Sequence, residues 1–239
     1  MNADVVIYAT EKIIDSLGED QSLNQLKDAA HLPDVVSPIV AMPDFHQGYG
    51  LPIGGVMATK GLISAGAVGM DINCGVRLLT SPLEYNQKDF DEKSLRFLIQ
   101  KIENLIPTGL GSSHDKKQNL DLKKVVEEGS HYLAKKGFAT EEDVEHTEER
   151  GQMFKADYNA LSKKAISRAK DQVGTLGSGN HFIDIFKIDK IFDSKIANKW
   201  GLIENQICIM IHSGSRALGH QTCTEYSNMF WNLKDQYKI

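Results

Sequence analysis

The sequence predicts the α+β class, and three observations carry that reading. From Ile39 to Leu79 the chain is rich in glycine, at eight positions from Gly48 to Gly75, and carries few charges. Such a stretch is too glycine-rich for helix and too apolar for a disordered linker, so it reads as short strands joined by tight turns. Residues 88–170 instead show helical periodicity with many charges, and two later runs return to strand character. A β-rich, then helical, then β-rich order favours α+β over a regular doubly wound sheet. One domain over residues 1–239 is expected, with 88–170 as a helical segment between two β-rich parts.

Each element follows in turn. DVVIYAT (4–10) is a strand candidate and SLNQLKDAAHL (22–32) a short helix. MPDFHQGYG (42–50) sets Asp44 and His46 after a short apolar strand, where alternation puts both on one face; a simple turn accounts for them as well. The stretches DEKSLRFLIQKIENLI, NLDLKKVVEEGSHYLAKKG, TEEDVEHTEERG and DYNALSKKAISRAKD read as helices, with Gly137 and Gly151 as stops. GTLGSGNHFIDIFKI (174–188) is a glycine loop running into an alternating strand, and NQICIMIHSGSR (205–216) a buried strand ending in a small-residue loop. The final TEYSNMFWNLKDQYKI has Tyr226, Phe230 and Leu233 at helical spacing and no stop signal, which leads us to expect a chain truncated within a helix.

Composition bounds the function. With 41% hydrophobic and 25% charged residues the chain is of ordinary globular make-up. A net charge of −5 excludes a broadly basic nucleic-acid-binding surface, so any such contact must be local or assisted by cations. Cys74, Cys208 and Cys223 form no disulfide framework, which points to a reducing compartment. The N-terminal MNADVVIYATEK lacks the basic-then-apolar order of a signal peptide, and no run of about 18 apolar residues exists to span a membrane. A cytoplasmic protein is expected.

The best metal-ligand candidates all sit where glycine loops meet apolar strands. Asp71 and Cys74 of GMDINCG precede GVRLL, His181 opens HFIDIF, and His212 closes ICIMI. Strand ends are rigid supports, and a carboxylate, a thiolate and two imidazoles can bind one or two divalent ions. A bridging thiolate suits a two-metal site. Taken one at a time, Cys74 also reads as an inert buried thiol, Asp71 as a turn cap, and either histidine as a hydrogen-bonded, partly buried side chain. HSGSR (212–216) is open to two readings: an anion nest with Arg216 as a phosphate fork, or a helix cap by Ser213 or Ser215 with Arg216 solvated. His31, His114, His131, His146 and His220 read as surface or supporting residues. The lysine pairs, Lys116–Lys117 among them, read as solvated helix faces, with contact to a nucleic-acid backbone as the lesser alternative.

Five blocks, MPDFHQGYGLPIGGV, GMDINCGVRLL, EERGQMFKAD, GTLGSGNHFIDI and IMIHSGSRALGHQ, together resemble the RtcB family of RNA-splicing ligases, in the family's order over residues 42–221. The resemblance implies an α+β fold of packed mixed sheets flanked by helices. It implies an enzyme that joins an RNA end with a 2′,3′-cyclic phosphate or 3′-phosphate to a 5′-hydroxyl end, as in tRNA splicing or RNA repair, using GTP and two Mn²⁺ ions, with an archease-type activator as partner. On matching positions, Asp71, Cys74, His181 and His212 would hold metal, with Cys74 bridging; Asn180, His181, Phe182, Ile183 and Asp184 would lie along the guanylate. Arg216 would hold phosphate, and Asp44 matches a residue needed for activity. Asp184 stands where the family usually has glutamate, and none of the eight histidines matches the family's guanylylated histidine or its further metal-binding one. The resemblance therefore covers roughly the first half of a family member. Two other functions stay open: a metal-dependent 2′,3′-cyclic phosphodiesterase, and a non-catalytic metal- or RNA-binding remnant.

Overall fold

The computed structural model describes residues 1–17, 20–109 and 120–237. The chain divides into two compact units, Met1–Ile72 with Gly219–Ile239, and Asn73–Leu218. His114 and the pair Lys116–Lys117 lie outside the described residues.

The first unit is built on a three-stranded sheet of order β1-β2-β3. Strand β1 (Val5–Ile7) runs parallel to β2 (Val35–His46), which pairs antiparallel with β3 (Ile53–Thr59). Helices α1 (Glu11–Ser16) and α2 (Ser22–Ala29) join β1 to β2. Thr10 caps α1 by accepting from the Ile13 N–H, and Leu26 and Ala29 of α2 pack with Ile39, Ala41 and Phe45 of β2 in one core. Complete burial of Leu26 and Ile39 stabilises the unit by roughly 1.5–3 kcal/mol each. Asp44 and His46 lie inside β2 rather than beyond it. Both are exposed while Phe45 between them is buried, in a stretch where the register with β3 shifts between Ala41 and His46.

The second unit carries a fully antiparallel sheet of order β4-β6-β5. It comprises β4 (Gly75–Glu84), β5 (Phe182–Lys187) and the central β6 (Gln206–Ser213). The apolar, β-branched run ICIMI suits a strand paired on both edges, and Gln206, Ile207 and Cys208 are buried. Helices α3 (Glu92–Leu105), α4 (Leu122–Glu128), α5 (Ser130–Lys135), α6 (Glu141–Glu145) and α7 (Lys163–Ala169) fill the segment between β4 and β5. Helix α8 (Ser194–Lys199) lies between β5 and β6, and α9 (Arg216–Tyr237) begins in this unit and continues in the first.

The helical segment is more broken than its periodicity predicts. TEEDVEHTEERG yields only the five residues of α6, followed by a 3₁₀ turn over Glu148–Gly151 in which Glu149 and Arg150 both have φ 52°. The cause is tertiary. Gly151 is packed so closely on Ser130 that a Cβ there would strike that side chain, and the neighbouring backbone winds left-handed to allow it. Gly137, at φ 80° just past α5, is the helix stop that the sequence predicts.

Candidate functional site

The antiparallel register of the second sheet builds the site. Both β4 and β5 begin where β6 ends: Gly75 pairs with Ser213, Val76 with His212, and Phe182 with the same His212. The residues just before β4 and β5 are Cys74 and His181. The register alone therefore delivers a thiol and two imidazoles to one end of one sheet, although 138 positions separate Cys74 from His212.

Their contacts are close. Cys74 Sγ lies 3.4 Å from His181 Nε2 and 3.2 Å from His212 Nε2. The two rings meet edge to face with centroids 5.6 Å apart, and Phe182 covers the His212 ring at 5.4 Å. All three ligand candidates are half-buried. His181 Nδ1 sits 2.9 Å from the Leu176 carbonyl, which can only accept, so Nδ1 carries a proton and in the neutral ring Nε2 presents the lone pair towards the sulfur. Asn180 Nδ2 stands 3.3 Å from His212 Nε2, whereas His212 Nδ1 is buried without a hydrogen-bond partner.

The donor set fits a divalent cation. With zinc's bond lengths, about 2.3 Å to sulfur and about 2.0 Å to nitrogen, sulfur and nitrogen stand roughly 3.1 Å apart at a right angle and roughly 3.5 Å apart at the tetrahedral angle. Both observed separations fall in that interval. Cys74 Sγ can donate its one proton to one ring and accept from the other, and as a thiolate it can turn its lone pairs to a cation together with both imidazoles.

The remaining candidates fall as follows. Asp71 is half-buried and three residues before Cys74 in the same loop. Asp184 is exposed on β5, one position from Ile183, and its backbone pairs with Met210. Arg216, the first residue of α9, has φ 55°, and its Nε donates to Thr175 Oγ1 at 3.1 Å. At least one donor of the guanidinium is thus spent on the 172–181 loop. Asp44 belongs to β2 in the first unit. Residues that sequence reasoning passed over are Gln172, Thr175 and Leu176. Gln172 accepts from the Ala217 N–H at the start of α9, and Leu176 receives both His181 Nδ1–H and Ser213 Oγ–H. The signal for Thr175 and Leu176 is only the glycine-bracketed GTLGSGN loop, which marks a close backbone approach without saying to what, and Gln172, two residues before it, has none.

Residues 25–239 match the family described as tRNA-splicing ligase RtcB. Among curated relatives, "tRNA-splicing ligase RtcB" of Thermococcus kodakarensis is 39% identical over 98% of this chain and 48% of its own length. The protein of the same name from Nanoarchaeum equitans is 43% identical over 96% and 49%. "RNA-splicing ligase RtcB homolog 1" of Entamoeba dispar is 40% identical over 96% and 45%. The chain spans about half the length of the curated relatives it matches. No helix among the described residues is long and apolar enough to cross a membrane. The chain belongs to the RtcB family of tRNA-splicing ligases.

Proposed function

We propose that this chain carries the metal- and nucleotide-binding part of a GTP- and Mn²⁺-dependent RNA ligase that joins 2′,3′-cyclic-phosphate or 3′-phosphate ends to 5′-hydroxyl ends. The observation that supports it most is the approach of His181 Nε2 and His212 Nε2 to the Cys74 sulfur, at 3.4 and 3.2 Å. Cys74, His181, His212 and Asp71 would hold the ions, the thiolate of Cys74 being shared between them and each imidazole serving one. When bound, divalent ions neutralise phosphate charge and orient the reacting oxygens. Thiolate with imidazole favours Zn²⁺ by affinity, so the choice of Mn²⁺ draws on the family and not on ligand chemistry.

The chain's own residues position the reactants. The segment from Asn180 to Asp184 lies along the nucleotide, with the Asn180 amide beside a metal-facing imidazole and the Asp184 carboxylate one methylene shorter than glutamate. Arg216 contributes those guanidinium donors that Thr175 does not take. Asp44 is assigned to the activity by the family resemblance alone. The substrates are tRNA halves or broken RNA ends, in the cytoplasm, with an archease-type activator as a further partner.

The test uses the 239-residue chain. In Mn²⁺ it is expected to bind an RNA ending in 3′-phosphate about tenfold more tightly than the same RNA ending in 3′-hydroxyl, a difference within the range of one charge-assisted contact. Because no histidine matches the family's guanylylated one, no GMP is expected to stay on the denatured chain after incubation with labelled GTP. Opening of the cyclic phosphate without GTP would instead favour the phosphodiesterase, and no preference for the phosphate end would contradict the reading.

A further inference from the structure

We propose that Ser213 is a positioning residue that holds His181 in its metal-binding orientation through the Leu176 carbonyl, an inference that rests on the metal site proposed above. The Leu176 oxygen accepts two hydrogen bonds: His181 Nδ1–H at 2.9 Å and Ser213 Oγ–H at 2.8 Å. A carbonyl has two lone pairs, and here both are used. The first bond fixes the tautomer and plane of His181, which leaves Nε2 facing the sulfur. The second ties that carbonyl to the end of β6.

The tie matters because of what surrounds Ser213. Its backbone pairs with Gly75, the neighbour of Cys74, and the residue before it is His212. The three ligands arrive on three different strands or the loops before them, all registered by β6, and the Ser213 hydroxyl adds a side-chain tie from that strand to the carbonyl that orients the His181 ring. The loop is pinned from its other sides as well. The Leu176 N–H donates to the Pro107 carbonyl at 3.0 Å, and the Gly109 N–H donates to the Gly177 carbonyl at 2.7 Å. Arg216 Nε holds Thr175 Oγ1, which itself donates to the Gln172 carbonyl. Gly177, at φ 104°, lets the chain turn between them; a Cβ there would run into the Arg216 guanidinium and His181 Nδ1. Of all these contacts, only the Ser213 hydroxyl shares its acceptor atom with the imidazole, so it is the one whose loss reaches His181 directly.

Two measurements on the 239-residue chain test the inference. The first needs no metal. Exchange of the His181 Nδ1 proton, read by ¹⁵N-edited NMR, is expected to quicken about tenfold in Ser213→Ala and to return towards the wild-type rate in Ser213→Thr, which restores the hydroxyl. The second titrates Mn²⁺, following the free ion by EPR. Ser213→Ala is expected to bind about tenfold more weakly, at the lower end of the range for outer partners of metal ligands, with thermal unfolding little changed and with rescue by Ser213→Thr. An unchanged exchange rate in Ser213→Ala, or equal losses in the Ala and Thr variants, would overturn the inference. Failure of the wild-type chain to take up Mn²⁺ would overturn the metal reading, and the exchange measurement would still decide the role of Ser213.

Discussion

The sulfur of Cys74 is the atom on which the site converges, and the other two cysteines show why it differs from them. Cys208 and Cys223 are buried, and burial pushes the Cys208 thiol up from its usual range, which keeps it protonated and unreactive. Cys74 is half-buried between two imidazoles. A thiol reagent applied to the native chain is therefore expected to modify one cysteine quickly, and a saturating divalent cation to protect it. Fast modification of Cys74 that no cation slows would count against ligation. Gly177→Ala is the second expectation at this scale. The substitution forces a side chain into a left-handed position already filled by Arg216 and His181, at a cost of about 1–3 kcal/mol. Chemical unfolding measures it, and a variant as stable as wild type would contradict the packing described. Cys74, His181 and His212 are legible in the sequence because each borders an apolar strand beside glycine. Ser213 and Leu176 are not, because a hydroxyl acquires a positioning role and a backbone carbonyl a partner only when the register is known.

Among the elements, α6 shows how a short helix is secured. Thr140 and Asp143 form a reciprocal capping box, with the Thr140 N–H and hydroxyl both donating to Asp143 Oδ2. Arg77, on β4 three residues after Cys74, donates to Thr147 Oγ1 at 2.7 Å and pairs with Asp143 at 3.2 Å. The helix is thereby latched to the strand that follows the site. The Thr140 N–H and hydroxyl, and then the charge of Arg77, hold the Asp143 carboxyl below its ordinary 3.8. A depressed carboxyl stabilises the fold fully above its unfolded value, and the contribution is lost as pH falls through the lower folded value. The stability gap between wild type and Asp143→Asn is thus expected to be constant near neutrality and to close below pH 3.8, as acid-dependent unfolding would reveal; a gap that widened in acid would refute the assignment. In the first unit, Leu26→Ala removes a fully buried side chain from the β2 core, with an expected loss of about 2–5 kcal/mol. Strand and helix existence was readable from periodicity, including β1, α2, β5 and β6. A stop at Gly151 was readable too, but the earlier end of α6 and the left-handed turn at Glu149 and Arg150 were not, because close packing of glycine on Ser130 has no signature in local sequence.

Over the whole molecule, charge and length set the terms. Any RNA contact made by a chain of net charge −5 must be local or assisted by cations. Removing divalent ions with a chelator is expected to weaken binding of a 3′-phosphate RNA end by about tenfold or more, and Cys74→Ala is expected to do the same with the ions present. Binding that survives both would separate RNA recognition from the metal site. The α+β class was legible from the order of β-rich and helical stretches. The two-unit division was not, because its two boundaries, Ile72 to Asn73 and Leu218 to Gly219, fall inside the GMDINCG and IMIHSGSRALGHQ blocks themselves. The family could be read from five motif blocks and is borne out by the match over residues 25–239. The most direct test of the central claim is X-ray absorption at the metal edge of the chain loaded with Mn²⁺. The account predicts a metal–sulfur shell, longer than the nitrogen and oxygen shell, that disappears in Cys74→Ala; a shell of nitrogen and oxygen alone in the wild-type chain would contradict it.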